Sequence, residues 1–170
     1  MPKYKAPTTK PEIILGIDPG LANTGYGIIA KDGSHCAMIT YGCIITAKDN
    51  PSDRRLQKIH QELKGLIKKF KPTVLALEQL FFCKNVKTAL AVGQARGVVI
   101  LTAVESNLSL FEFTPLQVKQ AITSYGRADK KQVQSMVKYL LSLKSAPSSD
   151  DAADALAVAI CCAQTNKNLI

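Results

Sequence analysis

Four carboxylates in this chain stand where an ionised side chain is costly: Asp18, Glu78, Asp151 and Asp154. Asp18 closes the apolar run Ile13-Ile14-Leu15-Gly16-Ile17 and is followed at once by Pro19-Gly20. Glu78 closes a second run, Val74-Leu75-Ala76-Leu77. Asp151 and Asp154 lie at the start of a segment, 152–163, in which every residue but Asp154 is small or apolar. Two of them have an ordinary reading. Asp18 can open a turn as an Asx residue, and Asp151 suits the first turn of a helix. Asp154 is harder to dismiss, because a buried carboxylate needs a cation or a proton. Brought together, four such acids repel one another unless cations neutralise them. Oxygen ligands without His or Cys select Mg²⁺, with Mn²⁺ able to substitute. Two such ions can activate a water and stabilise the leaving oxygen of a phosphodiester.

The elements that must position these acids can be read in outline. The 13–18 and 74–78 runs are short, β-branched and apolar on both faces, as central strands of a sheet are. A second strand is expected over 24–30, although Gly25 and Gly27 weaken its signal. Asp32-Gly33 marks a hairpin turn into a third strand over 35–46. A helix over 53–70 carries Leu56, Ile59, Leu63, Leu66 and Ile67 at helical spacing, with Ser52 or Asp53 as its cap. A long helix over 86–106 contains Gly93 and Gly97, which suit close packing against the sheet or against another subunit. A fifth strand is expected over 108–113, a short helix behind Thr114-Pro115, a helix from Lys130, and a last helix capped by Ser149. The last is apolar all round and therefore buried. Asp151 and Asp154 share one of its faces.

The chain has 170 residues, enough for one domain with a full core. Its formal net charge is +9 and its pI about 9.4, so a polyanion, nucleic acid first, is the expected partner. No apolar run is long enough to span a bilayer. Residues 1–12 read as a flexible basic tail, not a signal peptide, and 13–170 as a single domain in a cytoplasmic protein. Five cysteines with no Cys-x-x-Cys pair are expected as buried thiols. The element order β-β-β-α-β-α-β-α is compatible with a ribonuclease H-like α/β fold, a mixed five-stranded sheet flanked by helices, with the first and fourth strands adjacent.

Along nearly its whole length after the tail, the sequence resembles the RuvC family of Holliday junction resolvases. The resemblance rests on an ordered set of stretches. They are Ile14-Leu15-Gly16-Ile17-Asp18-Pro19-Gly20, Thr24-Gly25-Tyr26-Gly27, Leu77-Glu78-Gln79-Leu80-Phe81-Phe82 with Lys84-Asn85, and Val92-Gly93-Gln94-Ala95-Arg96-Gly97-Val98. Gln117-Val118-Lys119-Gln120 and Asp151-Ala152-Ala153-Asp154-Ala155-Leu156-Ala157 complete it. The family's four catalytic, metal-binding acids fall on Asp18, Glu78, Asp151 and Asp154. Its basic active-site residues match Lys119 and Lys130, and its junction-contacting aromatic matches Phe81. Lys84, Arg127 and Lys131 join these as candidate DNA contacts by charge and position. The resemblance implies a homodimer that cuts two opposed strands of a four-way junction, with about two Mg²⁺ per site, and RuvA and RuvB as branch-migration partners. Two rivals remain at this point. An actin-like or sugar-kinase-like nucleotide-binding module also places an Asp after its first strand, but needs two domains. A non-catalytic junction binder would share the charge and lack Mg²⁺-dependent nicking.

Overall fold

The computed structural model describes residues 10–79 and 86–165. The elements, in chain order, are β1 (Glu12–Asp18), β2 (Asn23–Asp32), β3 (His35–Ile45), α1 (Ser52–Phe70), β4 (Val74–Glu78), α2 (Val86–Glu105), β5 (Ser109–Phe113), α3 (Pro115–Thr123), α4 (Lys130–Leu140) and α5 (Asp150–Gln164). The strands form one sheet in the order β3-β2-β1-β4-β5. β1, β2 and β3 pair antiparallel, while β1–β4 and β4–β5 pair parallel. The expected mixed five-stranded sheet is present, with β1 and β4 side by side.

The sheet has a core on each face, and the period-two alternation of the strands decides which residue serves which. Leu15, Ile17, Leu75 and Leu77 pack with Ile59 and Leu63 of α1 and Ala95, Val99 and Ala103 of α2. Ile14, Val74 and Ala76 pack on the other face with α3, α4 and α5. Asp18 and Glu78 belong to the second file, two residues beyond Gly16 and Ala76. Both therefore leave the sheet on the α5 side.

α5 is buried along its length, from Ala152 to Ala163, with Asp154 half-buried. It lies directly on β1 and β2 because three glycines admit it. A Cβ on Gly16 would fall on the carbonyl oxygen of Ala155, and one on Gly25 on that of Asp151. A Cβ on Gly27 would meet the Leu156 side chain at 2.7 Å. Gly25 and Gly27, which weaken the strand pattern, are thus strand residues kept small for a helix backbone.

Other local expectations are adjusted. α1 begins at Ser52 with Pro51 as its cap residue and no side-chain capping bond. Ser52 and Asp53 lie inside the first turn, where Asp53 complements the helix dipole. Cys161 and Cys162 are buried, but Cys36 and Cys43 are only half-buried. Gly93 and Gly97 do not serve the sheet, since a Cβ on either meets nothing within 4 Å among the described residues. Residues 1–9 of the basic tail, the Phe81–Asn85 segment and Cys83 within it lie outside the described residues.

Candidate active site

β1 and β4 run parallel with Ile17 opposite Leu77, so Asp18 and Glu78 come one residue later at adjoining strand tips. α5 supplies the other two acids from its first turns. Ser149 caps the helix, its Oγ accepting from the Ala152 N–H at 3.5 Å. Gly25 stands opposite Asp18 in the β1–β2 ladder. Its missing side chain lets the Asp151 backbone settle beside Asp18. All four carboxylates thus gather at one end of the sheet, where Asp18 feels the charges of Asp154, Glu78 and Asp151.

That crowding has an electrostatic cost. Burial pushes the Asp18 carboxyl up from 3.8 to about 7, reinforced by Asp154, Glu78 and Asp151 and opposed by Lys130. Burial and then Asp154 raise Glu78, while Lys119 pulls it back. Asp154 is raised by burial against the hydrogen bond and charge of Lys130.

Lys130 is the cation inside the cluster. Asp129 forms a capping box with Gln132, which fixes Lys130 as the first residue of α4. Its Nζ lies 3.1 Å from Asp154 Oδ2 and 3.3 Å from Asp150 Oδ2. Burial disfavours its charge, but Asp154 and then Asp150 more than compensate, so its pKa rises. Asp150, the first residue of α5, is the second acid on Lys130. It is exposed, yet it also accepts a 2.7 Å bond from Gln134 Nε2 and shares Lys130.

Lys119 and Lys130 line one cleft of about 220 Å³ together with Glu78 and Asp154, over an apolar floor that includes Val118 and Val133. Arg127 and Lys131 are exposed and stand outside the residues lining this cleft. Phe81 and Lys84 lie outside the described residues.

Two supports were not legible from residue types. The turn after Asp18 is held by Thr46, whose N–H donates to the Ala22 carbonyl at 2.9 Å and whose hydroxyl donates to Leu21. Arg55 Nε donates in turn to Thr46 Oγ1 at 2.8 Å. The tip of β4 is held by Arg96 of α2, whose Nη1 donates to the Glu78 carbonyl at 2.6 Å. Both are sequence-distant contacts with no periodic signal. The Arg96-Gly97 motif alone hinted that an arginine mattered there.

The donor set fits a hard divalent cation. It is all carboxylate, it gathers like charges that help raise Asp18, Glu78 and Asp154, and Asp18 is left without its own cation partner among the bonds and ion pairs of the described residues. Among the described residues no three His, Cys, Asp or Glu side chains stand close enough together, as placed, to hold a metal ion. Lys130 holds Asp154 by direct contact.

Comparison with known proteins gives the family. Residues 14–162 match the family described as Crossover junction endodeoxyribonuclease RuvC. A relative of that name from Desulforamulus reducens is 57% identical over 152 residues, covering 89% of this chain and 93% of the relative. One from Caldicellulosiruptor saccharolyticus is 56% identical, covering 87% and 90%. The structure of T. thermophilus RuvC in complex with a Holliday junction substrate superposes with a TM-score of 0.84 at 34% identity, covering 88% of this chain and 92% of that one. The yeast mitochondrial Holliday junction resolvase, at 15% identity and a TM-score of 0.66, shares the fold. With the family matched over most of its length and relatives above half identity, the chain belongs to the RuvC family of crossover junction endodeoxyribonucleases.

Proposed function

We propose that this protein resolves Holliday junctions by hydrolysing phosphodiester bonds in two opposed strands, with Asp18, Glu78, Asp151 and Asp154 as its metal-binding catalytic acids. The observation that carries the assignment of residues is the convergence of these four acids from three elements, with the Asp18 carboxyl driven up to about 7 by burial and its neighbours. Asp18, Glu78, Asp151 and Asp154 would hold two Mg²⁺, or Mn²⁺ in their place. When bound, these ions supply Lewis-acid stabilisation of the phosphate and a water of lowered pKa.

The chain's own residues do the rest. Lys119 and Lys130 bring positive charge to the cleft beside Glu78 and Asp154, where a phosphate's charge must be accepted. Lys130 offsets part of the burial that raises Asp154, by direct contact. Arg127 and Lys131, exposed near the start of α4, extend the basic surface towards a DNA arm, and Phe81 and Lys84 serve the junction centre. The net charge of +9 supports binding through phosphate contacts.

The enzyme acts as a homodimer in this reading. α2 exposes Leu90, Leu101 and Val104, at 65%, 55% and 61%. Gly97 is exposed on the same face. An apolar stripe of this kind suits a two-fold interface with a second copy, which would give two active sites for two strands. RuvA and RuvB are the expected branch-migration partners, and DNA in the cytoplasm the expected setting. Among the described residues no helix is long and apolar enough to cross a membrane.

A synthetic four-way junction with Mg²⁺ tests this reading. Asp18→Asn, Glu78→Gln, Asp151→Asn and Asp154→Asn are each expected to lose cleavage while binding the junction as well as the parent, because lost negative charge weakens repulsion of DNA. An Asp154→Asn variant that cuts at the parental rate overturns the site assignment.

A further inference from the structure

The guanidinium of Arg96 makes two contacts that tie three elements together. Nη1 donates to the backbone carbonyl of Glu78, the last residue of β4, at 2.6 Å. Nη2 pairs with Glu112 of β5. The Glu78 carbonyl lies at the end of the β4–β5 ladder. Gln79 N–H donates to the Phe113 carbonyl at 2.8 Å, and β5 ends at Phe113. Arg96 takes up the Glu78 carbonyl at this last step of the sheet. Its side chain is 13% exposed and that of Glu112 is 35% exposed, so the guanidinium is largely covered while its carboxylate partner stays open to water.

The choice of arginine is informative. A planar fork can hold a carbonyl and a carboxylate at once, whereas an ammonium is a point charge that cannot match both directions. Ion pairs in such settings contribute little net stability, so geometry is the better account of what this one does. Glu112 offsets the positive charge, and the bond is to the backbone. The contact therefore governs where the Glu78 side chain starts from, and not how strongly it holds a proton.

We propose that Arg96 is a positioning residue that fixes the tip of β4, and through it the Glu78 carboxylate, for metal binding. It sits on the flank of α2, between the buried face of Ala95, Val99 and Ala103 and the exposed stripe of Leu90, Leu101 and Val104, so it also links the apolar α2 surface to a carboxylate of the cleft. The inference rests on Glu78 being a metal-binding acid. Outer-shell partners of metal-binding carboxylates are commonly worth 10- to 100-fold in affinity or activity.

The test uses Arg96→Lys, with Glu112→Ala as a second variant that removes the other anchor at the sheet's edge and leaves Arg96 in place. Three quantities are read: Mn²⁺ affinity of the DNA-free protein by electron paramagnetic resonance, single-turnover cleavage against Mg²⁺ concentration, and junction affinity in metal-free buffer. Arg96→Lys is expected to weaken Mn²⁺ binding and raise the half-saturating Mg²⁺ concentration by roughly tenfold. Junction affinity is expected to stay within about twofold, since neither residue lines the cleft. Glu112→Ala is expected to shift the same two metal readouts by a smaller factor. Unchanged metal dependence in both variants overturns the proposal. A loss of junction affinity matching the loss of rate also overturns it, by showing a role in DNA binding or folding. Glu78→Gln is the separating control: if it binds Mn²⁺ and cleaves as the parent does, the reading of Glu78 falls, whatever Arg96 does.

Discussion

Lys130 Nζ stands 3.1 Å from Asp154 Oδ2 and 3.3 Å from Asp150 Oδ2, so one ammonium bridges an acid of the cleft and an acid of the surface. The bridge keeps Asp154 closer to its ionised form than burial alone would allow. It also opposes the rise at Asp18. Lys130→Met removes both effects. The pH–rate profile of single-turnover cleavage is then expected to move to higher pH by on the order of one unit. An unmoved profile would mean that the ammonium does not set these ionisations during turnover.

Asp18 makes stability depend on pH with a definite sign. Burial and its acidic neighbours push its carboxyl up to about 7 in the folded protein, from 3.8 for a free aspartate. Between those values the folded state binds the proton more tightly, so stability falls as pH rises and the loss is complete above about 7. The shift corresponds to a ceiling of ~4 kcal/mol. In metal-free buffer Asp18→Asn should melt above the parent at pH 8, and the gain should fade as pH drops towards 4. Added Mg²⁺ should raise the parent's Tm more than the variant's. Thermal melts at several pH values, with and without metal, check both signs.

Gly25 is the position where fold and site meet. A Cβ there would lie 2.0 Å from the Asp151 carbonyl oxygen. Gly25→Ala is therefore expected to destabilise the fold by about 1–3 kcal/mol or more, and to lose cleavage even at temperatures where the variant is folded. Gly33→Ala offers a contrast: it meets no neighbour within 4 Å but has φ +59°, so it should lose some stability and keep its cleavage. Circular dichroism melts beside cleavage rates separate the two.

The α2 stripe predicts assembly. Leu101→Glu places a charge in the middle of the exposed apolar face and should yield a monomer in sedimentation at micromolar concentration. Its cuts on the two strands of a junction should no longer be paired. A dimer that persists would move the interface elsewhere.

The fold and the gathering of the four acids at one end of the sheet were largely legible, because the elements that carry them follow local rules. Apolar runs ending in a carboxylate showed β1 and β4, and a helix apolar all round showed that α5 is covered on every side. What stayed hidden depends on residues far apart in sequence. Arg96 reaching Glu78, Thr46 clamping the turn after Asp18, and Lys130 bridging Asp150 and Asp154 leave no mark on periodicity. Gly25 and Gly27 were misleading for the same reason. Propensity counts a strand glycine as a weakness, whereas here the helix above it requires one.

The seating of α5 on bare glycines sets the direction in which this family member can drift. Helix backbone already touches strand backbone at Gly16 and Gly25, so neither partner can thicken. An added methyl on either strand lifts the first turns of the helix and moves Asp151 and Asp154 together, away from Asp18. Substitutions in this layer therefore trade at constant or smaller volume, and variety in junction preference has to be written into the opposite wall, along α3, α4 and the end of β4.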